Sequence, residues 1–272
     1  MSKISNSRVD FPWYDSSWLE IYYLAQDIIR DESPHDLGRF VDAFSILKTR
    51  ANFEEKKVRN IFDATELQQS RELINSLAQQ DLEKHEFFNF GRFILHNHEF
   101  FSSLQKKLVP VVSELVNEPV ETSYNFLSLY NDFGVCEPHL DALSAKWTLD
   151  ICIDQSECWP IHFSRVQAWP NKDFETDENW SSYLRRDPNK GFRTHSLNPG
   201  EGIVFSGSSQ WHYRDRIAKS PGKNFCHLVF FHYIPKGTKD LVKPAKWASL
   251  FDIPALEGIV LTHRKMVLTD PV

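Results

Sequence analysis

The sequence predicts an α+β protein: a mainly helical N-terminal region over residues 1–118, an antiparallel β-sandwich or barrel over 119–236, and a C-terminal extension over 237–272. Two textures, one on each side of Pro119, carry this reading. Up to residue 118, apolar residues recur at spacings of three and four, the period of a helix with one buried face. From Pro119 they fall instead into short β-branched and aromatic runs broken by Gly, Pro, Asn and Asp clusters. Size agrees, because 272 residues with 41% hydrophobic and 14% aromatic content suffice for one large globular domain, or one with a helical appendage.

Taken in order, "SSWLEIYYLAQDIIRD", "HDLGRFVDAFSILKTR", "ATELQQSRELINSLAQQDLEKH" and "FSSLQKKLVPVVSELVN" read as helices, with Ser or Thr near several starts. "TSYNFLSLY", "KWTLDICID", "WPIHFSRVQAW", "GEGIVFSG" and "NFCHLVFFHYI" read as strands. Between Pro170 and Pro199 lies a polar insert, residues 171–198, carrying Phe174, Trp180 and Tyr183. It is too long for a hairpin turn, and loops of that length in compact domains are usually functional or disordered.

The formal net charge of −6 provides no basic field, so nucleic acid is not an expected partner and an anionic ligand must be caught in a pocket. The N-terminus has no apolar signal region, and no run of about eighteen apolar residues occurs. A soluble, cytoplasmic protein with a small-molecule substrate is expected, and its oligomeric state stays open. Cys136, Cys152, Cys158 and Cys226 lack CxxC spacing, which predicts reduced, mostly buried thiols. Trp147, Trp159, Trp169 and Trp211 are expected in the core.

The stretch "CEPHLDALSAKWTLDICID" places His139 and Asp141 two apart at the mouth of a strand. Side chains two apart on a strand share a face, so one imidazole and one carboxylate can address a single point. His212, in "GSSQWHYRDR", is the candidate second imidazole. Two histidines and one carboxylate on one side of a metal leave open positions opposite, which suits ferrous iron; zinc is the competing metal. "FILHNHEF" offers a rival HxH with Glu99, but it is read as helical, where residues two apart diverge. His162 and His232 are expected to be core or supporting groups. His35, His85, His195 and His263 are expected to face solvent.

"HLD" followed by "KWTLDICID", then "LNPGEGIVFSGSSQWHYRDR" and "NFCHLVFFHYIP", resembles the core of the Fe(II)- and 2-oxoglutarate-dependent dioxygenases. The likeness covers roughly residues 122–236. It implies a double-stranded β-helix (jelly-roll, cupin-like) core with a helical N-terminal layer, and His139, Asp141 and His212 as catalytic iron ligands. It implies Fe(II), 2-oxoglutarate and molecular oxygen as cofactor and cosubstrates. An aspartate at position 141, where related halogenases carry a small residue, points to oxygen rather than halide transfer.

Such enzymes hold the far carboxylate of 2-oxoglutarate with a cation on the last core strand. Here that window reads "PGKNFCH" and contains no arginine, only Lys223 and His227. Arg214 shares the face of His212 if the strand stays extended, and its planar fork suits a carboxylate, so it ranks before Arg216 and His227. Thr148, Tyr130 and Asn131 are the smaller candidates for the cosubstrate site. The insert is read as a lid, with Trp180, Tyr183, Arg185 and Arg186 as candidate substrate contacts. The expected activity is oxidation, by default hydroxylation, of a small or medium organic substrate. Two alternatives remain: a zinc hydrolase, and a non-catalytic ligand-binding protein on the same barrel.

Overall fold

A computed structural model of the chain describes residues 10–174, 177–218 and 223–269. The outer ends of the expected N-terminal region (1–9) and C-terminal extension (270–272), and residues 175–176 of the insert, lie outside the described residues.

The chain opens with α1 (Ser17–Glu32), in which Trp18, Leu19, Tyr22, Ala25 and Ile29 recur at helical spacing and are buried. It packs on α2 (Leu37–Ala43). The last elements, α8 (Trp247–Phe251) and α9 (Ile259–Thr269), return to the same cluster, where Tyr22, Phe40, Phe44, Trp247 and Phe251 interlock. His263 on α9 reaches Glu20 on α1 at 2.7 Å, so it does not face solvent as expected; His195 likewise contacts Glu55 at 2.7 Å.

Next come β1 (Lys56–Val58), α3 (Ala64–Ser76), α4 (Phe87–Phe90), β2 (Arg92–His96), α5 (Glu99–Lys107) and α6 (Val109–Val116). Asp63 and Glu66 form a reciprocal capping box at the start of α3. The helical run expected to reach His85 stops at Ser76, and the one expected over 101–117 divides at Leu108, next to Pro110, which has no N–H to donate. "FILHNHEF" is not helical as expected. His96 ends β2 and contacts Glu83 at 2.7 Å, while His98 caps α5 by accepting from Phe100 N–H.

The remaining strands are β3 (Val120–Tyr130), β4 (Cys136–His139), β5 (Trp147–Gln155), β6 (Ile161–Phe163), β7 (Arg193–His195), β8 (Gly202–Ser206), β9 (His212–Arg214) and β10 (Cys226–Pro235). Helix α7 (Trp180–Arg186) lies between β6 and β7. All pairings are antiparallel. One sheet runs β1-β8-β5-β10-β3-β2 and the other β4-β9-β6-β7.

Strand parity sorts the core. Leu149, Ile151 and Ile153 of β5, with Val229 and Phe231 of β10, meet Phe101, Leu104 and Val112 of α5 and α6. Cys152 and Leu228 point the other way and join Ile161, Phe163 and Phe205 between the sheets. The central strands β5 and β10 are therefore buried on both faces, which explains why apolar residues occur at both parities along them. Cys136, Cys152 and Cys226 are buried as expected, whereas Cys158 is exposed. Among the described residues no helix is long and apolar enough to cross a membrane.

Candidate active site

Strands β4 and β9 pair so that His139 stands opposite His212, with ring centroids 4.1 Å apart. Asp141 follows the end of β4. Its N–H donates to Gly207 O at 2.9 Å, and Gly207 N–H donates to Lys146 O at 3.0 Å, which fastens the turn. Asp141 Oδ1 then lies 3.4 Å from His139 Nε2 and 3.6 Å from His212 Nε2. The three ligand atoms are all within 4.8 Å of one another, and no other such group occurs among the described residues.

The backbone selects the tautomers. His139 Nδ1 is 2.9 Å from Glu137 O and His212 Nδ1 is 3.0 Å from Gln210 O. A carbonyl can only accept, so each Nδ1 carries a proton and Nε2 is the nitrogen left to address the shared point. Burial would raise the Asp141 carboxyl, but His212 and His139 outweigh it and hold it well below the usual carboxylate range. Burial lowers the His212 imidazole, whereas at His139 Cys136 and Asp141 outweigh burial and raise it well above the usual imidazole range, so a bound metal would displace a proton there. Two imidazole nitrogens and one carboxylate oxygen are then a donor set that fits a divalent metal with open positions.

Gly207 makes the geometry possible. A Cβ there would stand 2.2 Å from Asp141 Oδ2, 2.4 Å from Ala145 O and 2.9 Å from Thr148 Oγ1. Only a residue without a side chain lets the β8–β9 connection approach this closely.

A cavity of about 210 Å³ opens on the triad. Tyr124, Phe126, Phe230 and His232 line it on one side, and Arg92, Tyr130 and Arg214 form a basic corner. Arg214 is buried, donates from Nη2 to Asp150 Oδ2 at 2.6 Å and from Nη1 to Trp159 O, and lies over the Trp159 ring. Arg92 was not among the sequence candidates. It stands opposite Tyr130 in the β2–β3 pairing, donates to the Tyr130 hydroxyl at 2.6 Å, and is paired with Glu86 at 2.5 Å. Burial opposes its charge, but Tyr130 and Glu86 reverse the balance and raise its pKa.

The other candidates are placed as follows. Thr148 lines the cavity and donates to Asp141 Oδ2 at 3.1 Å. Asn131 accepts from Phe133 N–H in a turn, Arg216 is exposed and donates to Phe133 O, and His227 alternates with Cys226 and Leu228 of the inter-sheet core; none of the three lines the cavity. Nor does any of the four candidate substrate contacts. Trp180 packs with Trp13, Phe174 and Trp211, Tyr183 and Arg186 are exposed, and Arg185 bridges Glu137 at 2.7 Å and Asp215 at 2.5 Å. Trp180 and Arg185 fasten the insert to the body of the protein. Trp147, Trp159 and Trp211 are buried, and Trp169 packs against Trp18.

The sequence matches no family model and no curated protein. Solved structures are similar. HygX from Streptomyces hygroscopicus, with nickel and 2-oxoglutarate bound, aligns with TM-score 0.53 at 13% identity, over 73% of this chain and 87% of that one. The non-heme alpha-ketoglutarate-dependent carbocyclase SnoK from nogalamycin biosynthesis aligns with TM-score 0.50 at 10% identity, over 69% and 85%. The chain thus shares its fold with a solved 2-oxoglutarate-bound protein and a solved non-heme alpha-ketoglutarate-dependent enzyme, and within that fold it holds a His-Asp-His group that could hold a metal ion.

Proposed function

We propose that the protein is a mononuclear non-haem iron oxygenase that couples decarboxylation of 2-oxoglutarate to oxidation of a small or medium organic substrate. Residues 119–236, read as a double-stranded β-helix, form its catalytic core, and hydroxylation is the default outcome. The observation that carries this is the convergence of His139, His212 and Asp141 at a cavity that two buried guanidinium groups, those of Arg92 and Arg214, also line.

In this reading the triad holds Fe(II), which when bound supplies the activation of molecular oxygen at the expense of 2-oxoglutarate. The protein's own groups do the rest. Arg214 and the Tyr130 hydroxyl receive the far carboxylate of 2-oxoglutarate, and Arg92 keeps that hydroxyl oriented. Arg214 has N–H groups left over beyond those given to Asp150 and Trp159, so it can bind a second anion without surrendering its buried partner. Phe126 and Phe230 keep the cavity dry, which strengthens each of these polar contacts.

The test is succinate formation by protein reconstituted anaerobically with Fe(II), then exposed to air, 2-oxoglutarate and pooled metabolites. Turnover is expected to require both iron and 2-oxoglutarate and to vanish in His212→Ala. Iron bound at the triad with no 2-oxoglutarate consumed under any condition would contradict the proposal, and a site that takes zinc alone would favour a hydrolase.

A further inference from the structure

We infer that His232 is a positioning residue which, acting through Thr148, holds Asp141 as a one-oxygen metal ligand. This rests on reading the triad as a metal site.

The Thr148 hydroxyl donates to Asp141 Oδ2 at 3.1 Å and lies 3.0 Å from His232 Nδ1. A hydroxyl has one hydrogen. With that hydrogen on the carboxylate, Thr148 accepts from His232 Nδ1–H. His232 is only 3% exposed, and burial pushes its pKa down to about 4, so the ring is neutral and has one proton to place. That proton sits on Nδ1, and Nε2 is left as a buried nitrogen without a partner. The hydroxyl is thereby locked at both ends and cannot turn away from Asp141.

The two oxygens of Asp141 are consequently divided. Oδ1 faces both imidazoles and Oδ2 is tied back to Thr148. A carboxylate released from that tie can rotate and present both oxygens, closing one of the positions that a chelating keto acid and oxygen require.

The fold aims His232 deliberately. The β10–β3 register slips between Phe231 and Tyr233, which puts His232 opposite a bulge. Gln105 of α5 ties the bulge by donating from Nε2 to the carbonyls of His232 at 2.8 Å and Tyr124 at 2.9 Å. The Tyr124 ring stacks on the imidazole at 4.2 Å.

The test uses Co(II)-loaded full-length protein, with visible absorption, the infrared carboxylate stretch and Co(II) affinity as readouts, and 2-oxoglutarate as titrant. His232→Asn keeps an N–H near the place of Nδ1, and Thr148→Ser keeps the hydroxyl; both are expected to behave as wild type. His232→Leu and Thr148→Val are expected to shift the carboxylate stretch toward the chelating form and to weaken Co(II) binding about tenfold or more. Circular dichroism checks folding, and the Thr148 pair decides if His232→Leu does not fold. Folded His232→Leu and Thr148→Val with wild-type spectra and affinity would overturn the inference alone. Wild-type protein that binds Co(II) no better than His212→Ala would overturn the metal site itself.

Discussion

Arg214 Nη2 lies 2.6 Å from Asp150 Oδ2, and neither side chain reaches solvent. Burial raises the Asp150 carboxyl and the guanidinium offsets that only in part, so the pair survives only as a unit. Removing one partner leaves a buried charge alone. Asp150→Ala is expected to lose roughly 3–5 kcal/mol of stability in chemical denaturation, and Asp150→Asn less, because the amide keeps one acceptor. An Asp150→Ala protein as stable as wild type would show that Arg214 finds another partner.

The same arginine carries the cosubstrate prediction. Arg214→Met is expected to raise the 2-oxoglutarate concentration for half-saturation at least tenfold, since a charge-assisted pair in a dry pocket contributes roughly 1.5–3 kcal/mol. Arg216→Ala and His227→Ala, outside the cavity, are expected to leave it unchanged. Arg92→Met acts through the Tyr130 hydroxyl and is expected to have the smaller effect. The reverse order, measured by steady-state titration, would move the anchor to Arg92.

Gly207→Ala tests the turn behind Asp141. Its Cβ meets the backbone oxygen of Ala145 at 2.4 Å as well as Asp141 Oδ2 at 2.2 Å, and the former cannot swing aside. The variant is expected to lose about 1–3 kcal/mol, the usual cost of overpacking, and to show no rise in Tm on adding Ni(II) where wild type does. A normal Ni(II)-dependent rise would mean that Asp141 tolerates the displacement.

His232 makes the fold sensitive to acid. Its pKa falls from 6.5 to about 4 on burial, so between those values the unfolded chain binds the proton more readily. Its contribution is complete above pH 6.5 and is lost as the pH falls toward 4, to a limit of about 3 kcal/mol. Replacing it by Asn is expected to flatten the loss of stability between pH 7.5 and 4.5 in denaturant titrations. An equal pH slope in both proteins would place the acid sensitivity elsewhere.

Much of the site could be read locally, because two-residue parity and a strand edge suffice to bring His139 and Asp141 to one face. His212 required only that "GIVFSG" be a strand leading into a turn. Arg92 was illegible for a different reason: its position depends on β2 pairing with β3, and β2 is five residues long, hidden against helical neighbours after Gly91 at φ 66°. The bulge in β3 that aims His232 is likewise a product of pairing and leaves no mark in "TSYNFLSLY". The composition of the insert leaves its role open. Aromatics and charges that suit a lid also suit a segment stapled down, and Trp180 and Arg185 show the stapling.

The most direct measurement is anaerobic titration of the purified chain with Fe(II) and then 2-oxoglutarate, followed by visible absorption, in wild type and in His139→Ala, Asp141→Ala and His212→Ala. One iron per chain and an absorption band that appears only with 2-oxoglutarate are expected in wild type. Each variant is expected to lose both while keeping its far-ultraviolet circular dichroism, because two remaining donors do not hold a labile ferrous ion. Wild-type protein that binds no iron, or a variant that keeps the band, would contradict the assignment of the triad.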